Sequence, residues 1–157
     1  MKNIYDILSE LGVDYKKYDH PPVYTCEESE KYTGHLQSGK DKNLFLRNRR
    51  GDTHYLVTVE SSKTVDFKKL SSVLGESKLS FASPERLKKY LDLEPGSVTP
   101  FGLINDANHE VKVVIDRGLI AHDNIQFHPN TNTSTIVVSR EDFKRFLEWT
   151  PATISCL

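Results

Sequence analysis

The sequence from Lys42 to Glu60 reads KNLFLRNRRGDTHYLVTVE. Two runs rich in apolar and β-branched residues, Asn43 to Arg47 and Thr53 to Glu60, are typical of β-strands. The five residues between them, 48–52, are of the kinds that favour tight turns. The stretch therefore predicts a β-hairpin, and the rest of the chain can be ordered around it.

Helix and strand signals continue on both sides of this hairpin. Apolar spacing, capping boxes and a Ser-Pro start predict five helices, beginning near Ile4, Thr25, Asp66, Ser83 and Ser139. Short strands are predicted over Tyr15–Tyr18, Leu79–Phe81, Val111–Ile115, Ile125–Phe127 and Ser134–Val138, with Leu103-Ile104 introducing the strand-rich second half. These elements predict an α+β fold, a single domain over residues 1–157 with helices flanking a mixed, mostly antiparallel sheet.

Composition narrows the class of protein. The chain has 157 residues, of which 37% are hydrophobic and 27% charged, with a net charge of -1. This excludes a strongly basic nucleic-acid coat but not a local basic patch. Two cysteines are too few for a disulfide scaffold or a cysteine-rich zinc site. No apolar run is long enough for a membrane span and the start has no signal-peptide core, so we expect a cytoplasmic protein without membrane partners.

The common catalytic motifs are missing from the sequence. It contains no glycine-rich phosphate loop, no dinucleotide fingerprint, no zinc-protease spacing and no Gly-x-Ser-x-Gly elbow. On motifs alone the chain is an α+β domain of unassigned activity.

Three segments nevertheless stand out. Lys42 stands directly before a strand core, where it can meet an anion. Gly96 to Gly102 (GSVTPFG) predicts a tight loop that can aim backbone N–H groups at an oxyanion. His128 is held extended by Pro129 at the end of a strand. Each also has an ordinary interpretation: a solvated lysine, a helix-to-strand connection and a surface histidine.

In order and spacing, these segments resemble the freestanding prolyl-tRNA editing family of the YbaK/ProX type, which is related to the insertion domain of bacterial prolyl-tRNA synthetases. The similar stretches are His20 to Glu28, Gly39 to Leu46, Leu79 to Leu87, Gly96 to Asp106 and His128 to Asn130. The resemblance spans almost the whole chain and implies the barrel-like α+β fold of that family.

The family resemblance also implies an activity. Its members deacylate mischarged tRNA in trans, without a metal, a cofactor or a protein nucleophile. The branch with this loop and the His-Pro-Asn turn removes alanine from tRNA(Pro). Two alternatives stay open: removal of cysteine or a hydroxy amino acid from tRNA, and a non-catalytic module that binds tRNA or a synthetase. The implied partner is the acceptor end of mischarged tRNA, and the sequence leaves open whether a prolyl-tRNA synthetase or an elongation factor delivers it.

Candidate residues follow from matching the family pattern. The catalytic set implied by the resemblance is Lys42 with the loop residues Gly96, Ser97, Val98, Thr99 and Pro100. Lys42 would place the terminal nucleotide and the loop would stabilise the oxyanion. The implied substrate-binding set is Asn43, Phe45, Phe101, Gly102, His128 and Asn130. Within it, Phe45 and Phe101, together with Val98 of the loop, are expected to form the walls of a small pocket.

Binding of the tRNA phosphates requires positively charged side chains. Residues 40–50 carry five basic residues against one acidic residue, and Lys78 precedes a predicted strand. Phosphate contacts of this kind give salt-dependent affinity. The predicted tRNA-binding residues are Lys40, Arg47, Arg49, Arg50 and Lys78, and the ordinary interpretation of the arginines is a solvated hairpin tip.

Overall fold

The predicted hairpin forms the middle of the sheet. In the computed structural model, which describes residues 3–34, 36 and 38–157, strand β2 (Gly39–Asn48) pairs antiparallel with β3 (His54–Glu60). Met1, Lys2, His35 and Gln37 lie outside the described residues. Strand β2 begins four residues earlier than predicted, since Gly39 and Lys40 pair in parallel with another strand.

The remaining strands complete one mixed sheet, which confirms the predicted fold class. They are β1 (Tyr15–Asp19), β4 (Leu79–Phe81), β5 (Val111–Ile115), β6 (Asn124–Phe127), β7 (Ser134–Ser139) and β8 (Ile154–Cys156). The strand order is β1-β7-β6-β2-β3-β5-β8, with β4 beside β2. Among the described residues, four of the pairings are antiparallel and three are parallel. The order runs from β1 to β8 without a pairing between them, so the expected barrel-like sheet is open.

One edge of β2 is shared by two strands. Residues 39–40 pair with β6, and residues 46–48 pair with β4. Of the strands that the structure describes, only β3 pairs with the segment between them, residues 41–44. The sheet therefore splits along this edge, and the split positions the site described below.

Side-chain caps start the helices where the sequence predicts. The helices are α1 (Ile4–Glu10), α2 (Cys26–Thr33), α3 (Phe67–Leu74), α4 (Pro84–Leu91), α5 (Arg117–Ile120) and α6 (Arg140–Trp149). Thr25, Asp66, Ser83 and Ser139 each accept a hydrogen bond from a first-turn N–H, as N-caps do. These four predicted helix starts are confirmed.

Three elements differ from the sequence prediction. Leu103 and Ile104 lie in a 3₁₀ helix (Pro100–Asn105) rather than at the start of the strand-rich half. Thr99 caps that helix and Pro100 occupies its first turn, and this local chemistry favours a helical turn. Helix α5 and strand β8 were not predicted, because both are short and β8 depends on pairing with β5.

The two faces of the central strands bury separate apolar clusters. Leu56 and Val113 point into a large cluster with the helix residues Phe143 and Phe146, and Val57 belongs to a smaller cluster on the other face. This is the alternation expected of strands covered on both sides. No helix within the described residues combines the length and the apolar character that crossing a membrane requires.

Candidate active site

A cleft of about 330 Å³ opens at the split edge of β2. Its lining includes Lys42 from β2, Gly96 and Val98 from the loop before the 3₁₀ helix, and His128 after β6. The expected convergence of these three segments is confirmed. A volume near 300 Å³ is at the small end for ligand sites in proteins, so the cleft suits a small group.

Lys42 stands at the boundary of two cavities. It lines the cleft and also a shallower hollow beside Leu44, Phe67 and Phe81. Its ammonium donates a hydrogen bond to the backbone carbonyl of Lys63. A neutral carbonyl is a weaker partner than a phosphate or carboxylate oxygen. The ammonium is thus positioned next to the cleft with a partner that an anionic ligand can outcompete.

The loop offers fewer donors than its sequence suggests. Gly96 has φ +90°, and a Cβ at that position would lie 2.8 Å from Cδ1 of Tyr24, so the residue must be glycine. The N–H of Ser97 already donates to the Glu94 carbonyl at 3.0 Å. Pro100 has no N–H, and Thr99 is fully buried as the cap of the 3₁₀ helix.

Gly96 and Val98 are the loop residues that line the cleft. Within the described part of the chain, no hydrogen-bond acceptor is paired with either of their N–H groups. These two N–H groups are therefore the donors that the loop can offer to a ligand.

His128 is oriented by a backbone contact. Its Nδ1 lies 3.2 Å from the carbonyl oxygen of Ser134, so Nδ1 carries the hydrogen and Nε2 is left without it in the neutral ring. The ring of His20 lies beside it with centroids 6.5 Å apart, and His20 Nε2 lies 2.8 Å from the Thr135 hydroxyl. The cleft therefore has an imidazole wall whose tautomer is determined by the fold.

A carboxylate that the sequence analysis did not select lies in the same cleft. Asp41 accepts a 2.6 Å hydrogen bond from the Asn43 side-chain amide, and the Asn43 carbonyl accepts one of 2.7 Å from the Thr58 hydroxyl. Burial raises the pKa of Asp41 to about 6, and the charge of His128 and the bond from Asn43 partly oppose that rise in pKa. Asp41 thus remains mostly ionised at neutral pH.

Sequence signals for the missed cleft residues are weak. Asp41 is the lone acidic residue between two lysines, and that pattern could have selected it. Gln126 and Thr135 also line the cleft, but each lies in an ordinary-looking strand. The Gln126 amide donates to the Thr33 carbonyl and to the Ser38 hydroxyl, so it joins the end of α2 to β6.

Two predicted pocket walls are wrong. Phe45 and Phe101 do not line the cleft but lie in the large core cluster, at 5% and 0% exposure. Phe45 is stacked against His54, with centroids 5.5 Å apart, and Phe101 lies edge-on to Phe127 at 5.3 Å. Large apolar rings are more stable packed in the core than at the mouth of a polar cleft, which leaves Val98 as the predicted wall that lines it.

Two further predicted binding residues lie behind the cleft rather than along it. Gly102 is buried, and a Cβ there would lie 2.6 Å from Leu93 Cδ1, so its role is close packing. Asn130 has φ +63° and its amide donates to the Phe101 carbonyl at 3.4 Å. Neither residue lines the cleft, so both support it from outside.

The predicted tRNA-binding cations fall into two separate places. Lys40 lines the cleft, where it forms an ion pair with Glu30. The other four lie at the opposite end of β2: Arg47, Arg49, Arg50 and Lys78. At a rise of about 3.3 Å per residue, Lys42 and Arg49 are about 23 Å apart along the strand.

Those four cations differ in how exposed their side chains are and in how many hydrogen bonds they already make. Arg47 is half-buried and donates to the carbonyls of Asn48 and Arg49, both at 3.2 Å, so it holds the turn. Arg49, Arg50 and Lys78 are exposed, with Arg50 at 3.5 Å from Asp52. The exposed three are the better candidates for phosphate contacts.

Metal-ligating side chains are scattered. Across residues 3–34, 36 and 38–157, no group of three or more His, Cys, Asp or Glu side chains is placed to hold a metal ion.

Comparison with known proteins identifies relatives over most of the chain. Residues 20–146 match the family described as aminoacyl-tRNA editing domain. The chain is 44% identical over 141 residues to prolyl-tRNA editing protein ProX of Acetoanaerobium sticklandii, covering 90% of this chain and 86% of the relative. It is 34% identical to prolyl-tRNA synthetase associated domain-containing protein 1 of Danio rerio, over 97% of this chain and 83% of that protein.

A solved structure supports the fold. The chain superposes with a TM-score of 0.73 on a crystal structure described as a candidate trans-editing enzyme for prolyl-tRNA synthetase, at 20% identity. The match covers 98% of this chain and 93% of that one.

Proposed function

This chain belongs to the aminoacyl-tRNA editing domain family, and from that premise we propose that it hydrolyses mischarged tRNA in trans, with alanyl-tRNA(Pro) as its substrate. The observation that carries the proposal is the convergence of Lys42, the Gly96–Val98 loop and His128 on one small cleft. One relative is named for prolyl-tRNA editing and another for a prolyl-tRNA synthetase associated domain, and both names support the identity of the tRNA.

The reaction is hydrolysis of an ester. Water adds to the carbonyl carbon of the aminoacyl group, the bond to the ribose oxygen breaks, and the products are alanine and tRNA. Negative charge develops on the carbonyl oxygen in the transition state, so preorganised donors are the natural catalyst. The unpaired N–H groups of Gly96 and Val98 fit this role.

Lys42 supplies a positive charge at the mouth of the cleft. Its ammonium can exchange the Lys63 carbonyl for a phosphate or a polarised ester oxygen of the acceptor end. Asn43 lies beside it on β2 with its amide held by Thr58 and Asp41. We assign Lys42 to placing the terminal nucleotide and stabilising transition-state charge, and Asn43 to holding the substrate.

Specificity follows from steric exclusion in the cleft. A synthetase site built for proline cannot strongly exclude alanine, since missing methylenes cost only ~1–3 kcal/mol each. A second, smaller site can admit alanine and exclude proline. Within the cleft of about 330 Å³, such exclusion would act at the part of the wall that Val98 and His128 form, through its shape rather than through the total volume.

The proposed partner is the acceptor end of mischarged tRNA(Pro), in the cytoplasm where translation supplies charged tRNA. The exposed cations at the hairpin end, Arg49, Arg50 and Lys78, would contact tRNA phosphates away from the reacting ester. A prolyl-tRNA synthetase that hands over its mischarged product is the natural source of substrate.

A deacylation panel tests the proposal. Purified protein is incubated with tRNA(Pro) carrying alanine, cysteine, serine, threonine or proline, and the remaining aminoacyl-tRNA is followed over time. We expect rapid loss of alanine and retention of proline. Preferred loss of cysteine, serine or threonine would show that the proposed substrate is wrong while the proposed reaction, ester hydrolysis on tRNA, is right.

The panel needs a control for contaminating hydrolases. The Lys42→Ala variant, purified in the same way, should lose the activity. Absence of hydrolysis for every ester, with retained tRNA binding, would overturn the enzymatic proposal in favour of a binding module.

A further inference from the structure

Asp41 is a carboxylate of the candidate active site that forms no ion pair with a described residue, although the charge of His128 acts on it from nearby. It lines the cleft between two lysines, but both lysines are engaged elsewhere. Lys40 forms an ion pair with Glu30, and Lys42 donates to the Lys63 carbonyl. In the part of the chain that the structure describes, no cationic side chain lies within 4.0 Å of the Asp41 carboxylate.

The Asp41 carboxylate is oriented by a short relay of hydrogen bonds. The Thr58 hydroxyl donates to the Asn43 carbonyl oxygen, and this contact points the Asn43 amide at Oδ2 of Asp41. The backbone N–H of Asp41 itself also donates to this carboxylate, and no side chain of a described residue donates to the other oxygen, Oδ1. One carboxylate oxygen is thus held in place and the other is left for a donor that enters the cleft.

Neighbouring carboxylates do not share this property. Glu60, opposite Asp41 on β3, contacts His122 Nε2 at 2.5 Å and lies 3.9 Å from the Lys63 ammonium. Glu30 is neutralised by Lys40. Burial also raises the pKa of Asp41 to about 6, the behaviour of a carboxylate whose charge is poorly compensated by the protein.

The proposed substrate carries the missing cation. An aminoacyl ester has a free α-amino group one carbon from the reacting carbonyl, and this group is largely protonated near neutral pH. We propose that Asp41 binds the α-ammonium of the aminoacyl group through its free carboxylate oxygen, and thereby places the ester carbonyl against the Gly96 and Val98 N–H groups. This inference rests on the proposed function and adds a specificity determinant to it: the cleft reads the free amine as well as the size of the side chain.

A pair of substrates that differ only in the amine tests this role. Alanyl-tRNA(Pro) and lactyl-tRNA(Pro) carry the same ester and methyl group, with an amine in the first and a hydroxyl in the second. In single-turnover assays we expect the wild-type protein to prefer the alanyl ester. The variant Asp41→Asn should lose about tenfold to hundredfold on the alanyl ester, the range for one charge-assisted hydrogen bond, and change little on the lactyl ester.

Matched variants separate charge from structure. Glu148→Gln removes an exposed carboxylate on α6, far along the chain from the cleft segments, and should leave both rates unchanged. Asp41→Glu keeps the charge and should retain part of the preference for the amine. An equal loss on both esters in Asp41→Asn would overturn the inference, because it would place Asp41 in the hydrolytic step itself, as a general base does.

A binding measurement keeps the inference independent of turnover. Adenosine carrying a 3′-alanylamide, which cannot be hydrolysed as an ester, is titrated against its 3′-lactylamide counterpart by calorimetry at pH 7.5. Tighter binding of the alanyl analogue by wild type but not by Asp41→Asn supports the inference even if the deacylation panel fails. Equal binding of the two analogues by wild type contradicts it even if alanyl-tRNA is hydrolysed.

Discussion

The two ends of strand β2 have nearly the same local composition and opposite character. At the Gly39 end, Lys40 and Lys42 are partly buried, and each has a partner inside the protein. At the Asn48 end, Arg49 and Arg50 project from the turn into solvent. The sequence shows one basic segment, and the fold separates it into an enclosed site and an exposed patch about 23 Å away.

This difference shows how environment converts equal charges into different functions. A cation beside a cleft acts over a short distance on the group bound there, so it can contribute to catalysis. A cation on an exposed turn is screened by water and salt and contributes mainly to the encounter with a polyanion. Substitutions at the two ends should therefore affect different measurements.

The largest effect is expected for Lys42→Ala. Loss of one preorganised charge should reduce single-turnover hydrolysis of alanyl-tRNA(Pro) by at least ~10²-fold, with little change in overall tRNA affinity. Lys42→Arg should not restore the full rate, because a planar guanidinium cannot occupy the space of a compact ammonium. Lys144→Ala, at an exposed position on α6, is the matched control; near wild-type rates for Lys42→Ala would remove this residue from the mechanism.

His128→Ala should relax specificity more than it reduces rate. Removing an imidazole from the cleft lining makes room for a proline ring, so we expect the ratio of alanyl to prolyl hydrolysis to fall by about tenfold. Parallel single-turnover assays with both esters measure this ratio. Complete loss of hydrolysis with intact tRNA binding would instead make His128 an acid–base group.

Asp41→Asn should stabilise the free protein above pH 6. The folded-state pKa of Asp41 is raised from 3.8 to about 6, mainly by burial and against the opposing effects of His128 and Asn43. The stability associated with the protonated form is therefore present below about pH 4 and is lost as the pH rises through about 6.

Urea unfolding at a series of pH values measures this effect. The gain in free energy of unfolding from Asp41→Asn should be about 1 kcal/mol at pH 8, reduced from the full shift because the residue is partly exposed. It should shrink towards zero at pH 4. A pH-independent difference in the free energy of unfolding between the two proteins would mean that burial does not destabilise the ionised Asp41 carboxylate.

The smallest effect is expected at the exposed end. Changing Arg49, Arg50 and Lys78 together to glutamine should weaken tRNA binding several-fold at low salt and flatten the dependence of log affinity on log salt. The rate at saturating tRNA should stay near wild type. Arg47 is left intact because its guanidinium holds the turn. An unchanged salt slope would mean that the hairpin tip is an ordinary solvated surface that does not contact tRNA.

Local chemistry explains which parts of the fold could be predicted. The central hairpin and the helix caps at Thr25, Asp66, Ser83 and Ser139 depend on residues within a few positions of one another. Strand β8 depends instead on pairing with β5, nearly forty residues earlier, and its own three residues carry no decisive signal.

The candidate site shows the same division. The pattern around Lys42, Gly96 and His128 was sufficient to predict one cleft, through the family resemblance. The assignment of Phe45 and Phe101 to its walls was wrong, because the facing of a ring depends on which neighbours cover it. Asp41 was missed for a related reason: its burial and the nearby charge of His128 arise only when the chain folds.

By itself, the sequence determined the α+β class, the starts of five helices, the tight loop and the family, since these depend on residue type and short-range spacing. Only the tertiary structure decided which of the clustered cations face the cleft, which loop N–H groups are left unpaired and where the uncompensated charge lies. The physical reason is that burial, hydrogen-bond satisfaction and electrostatic compensation are properties of neighbours in space. The local sequence already placed Arg49 at a hairpin tip, but only the fold pairs Lys40 with Glu30 inside the cleft.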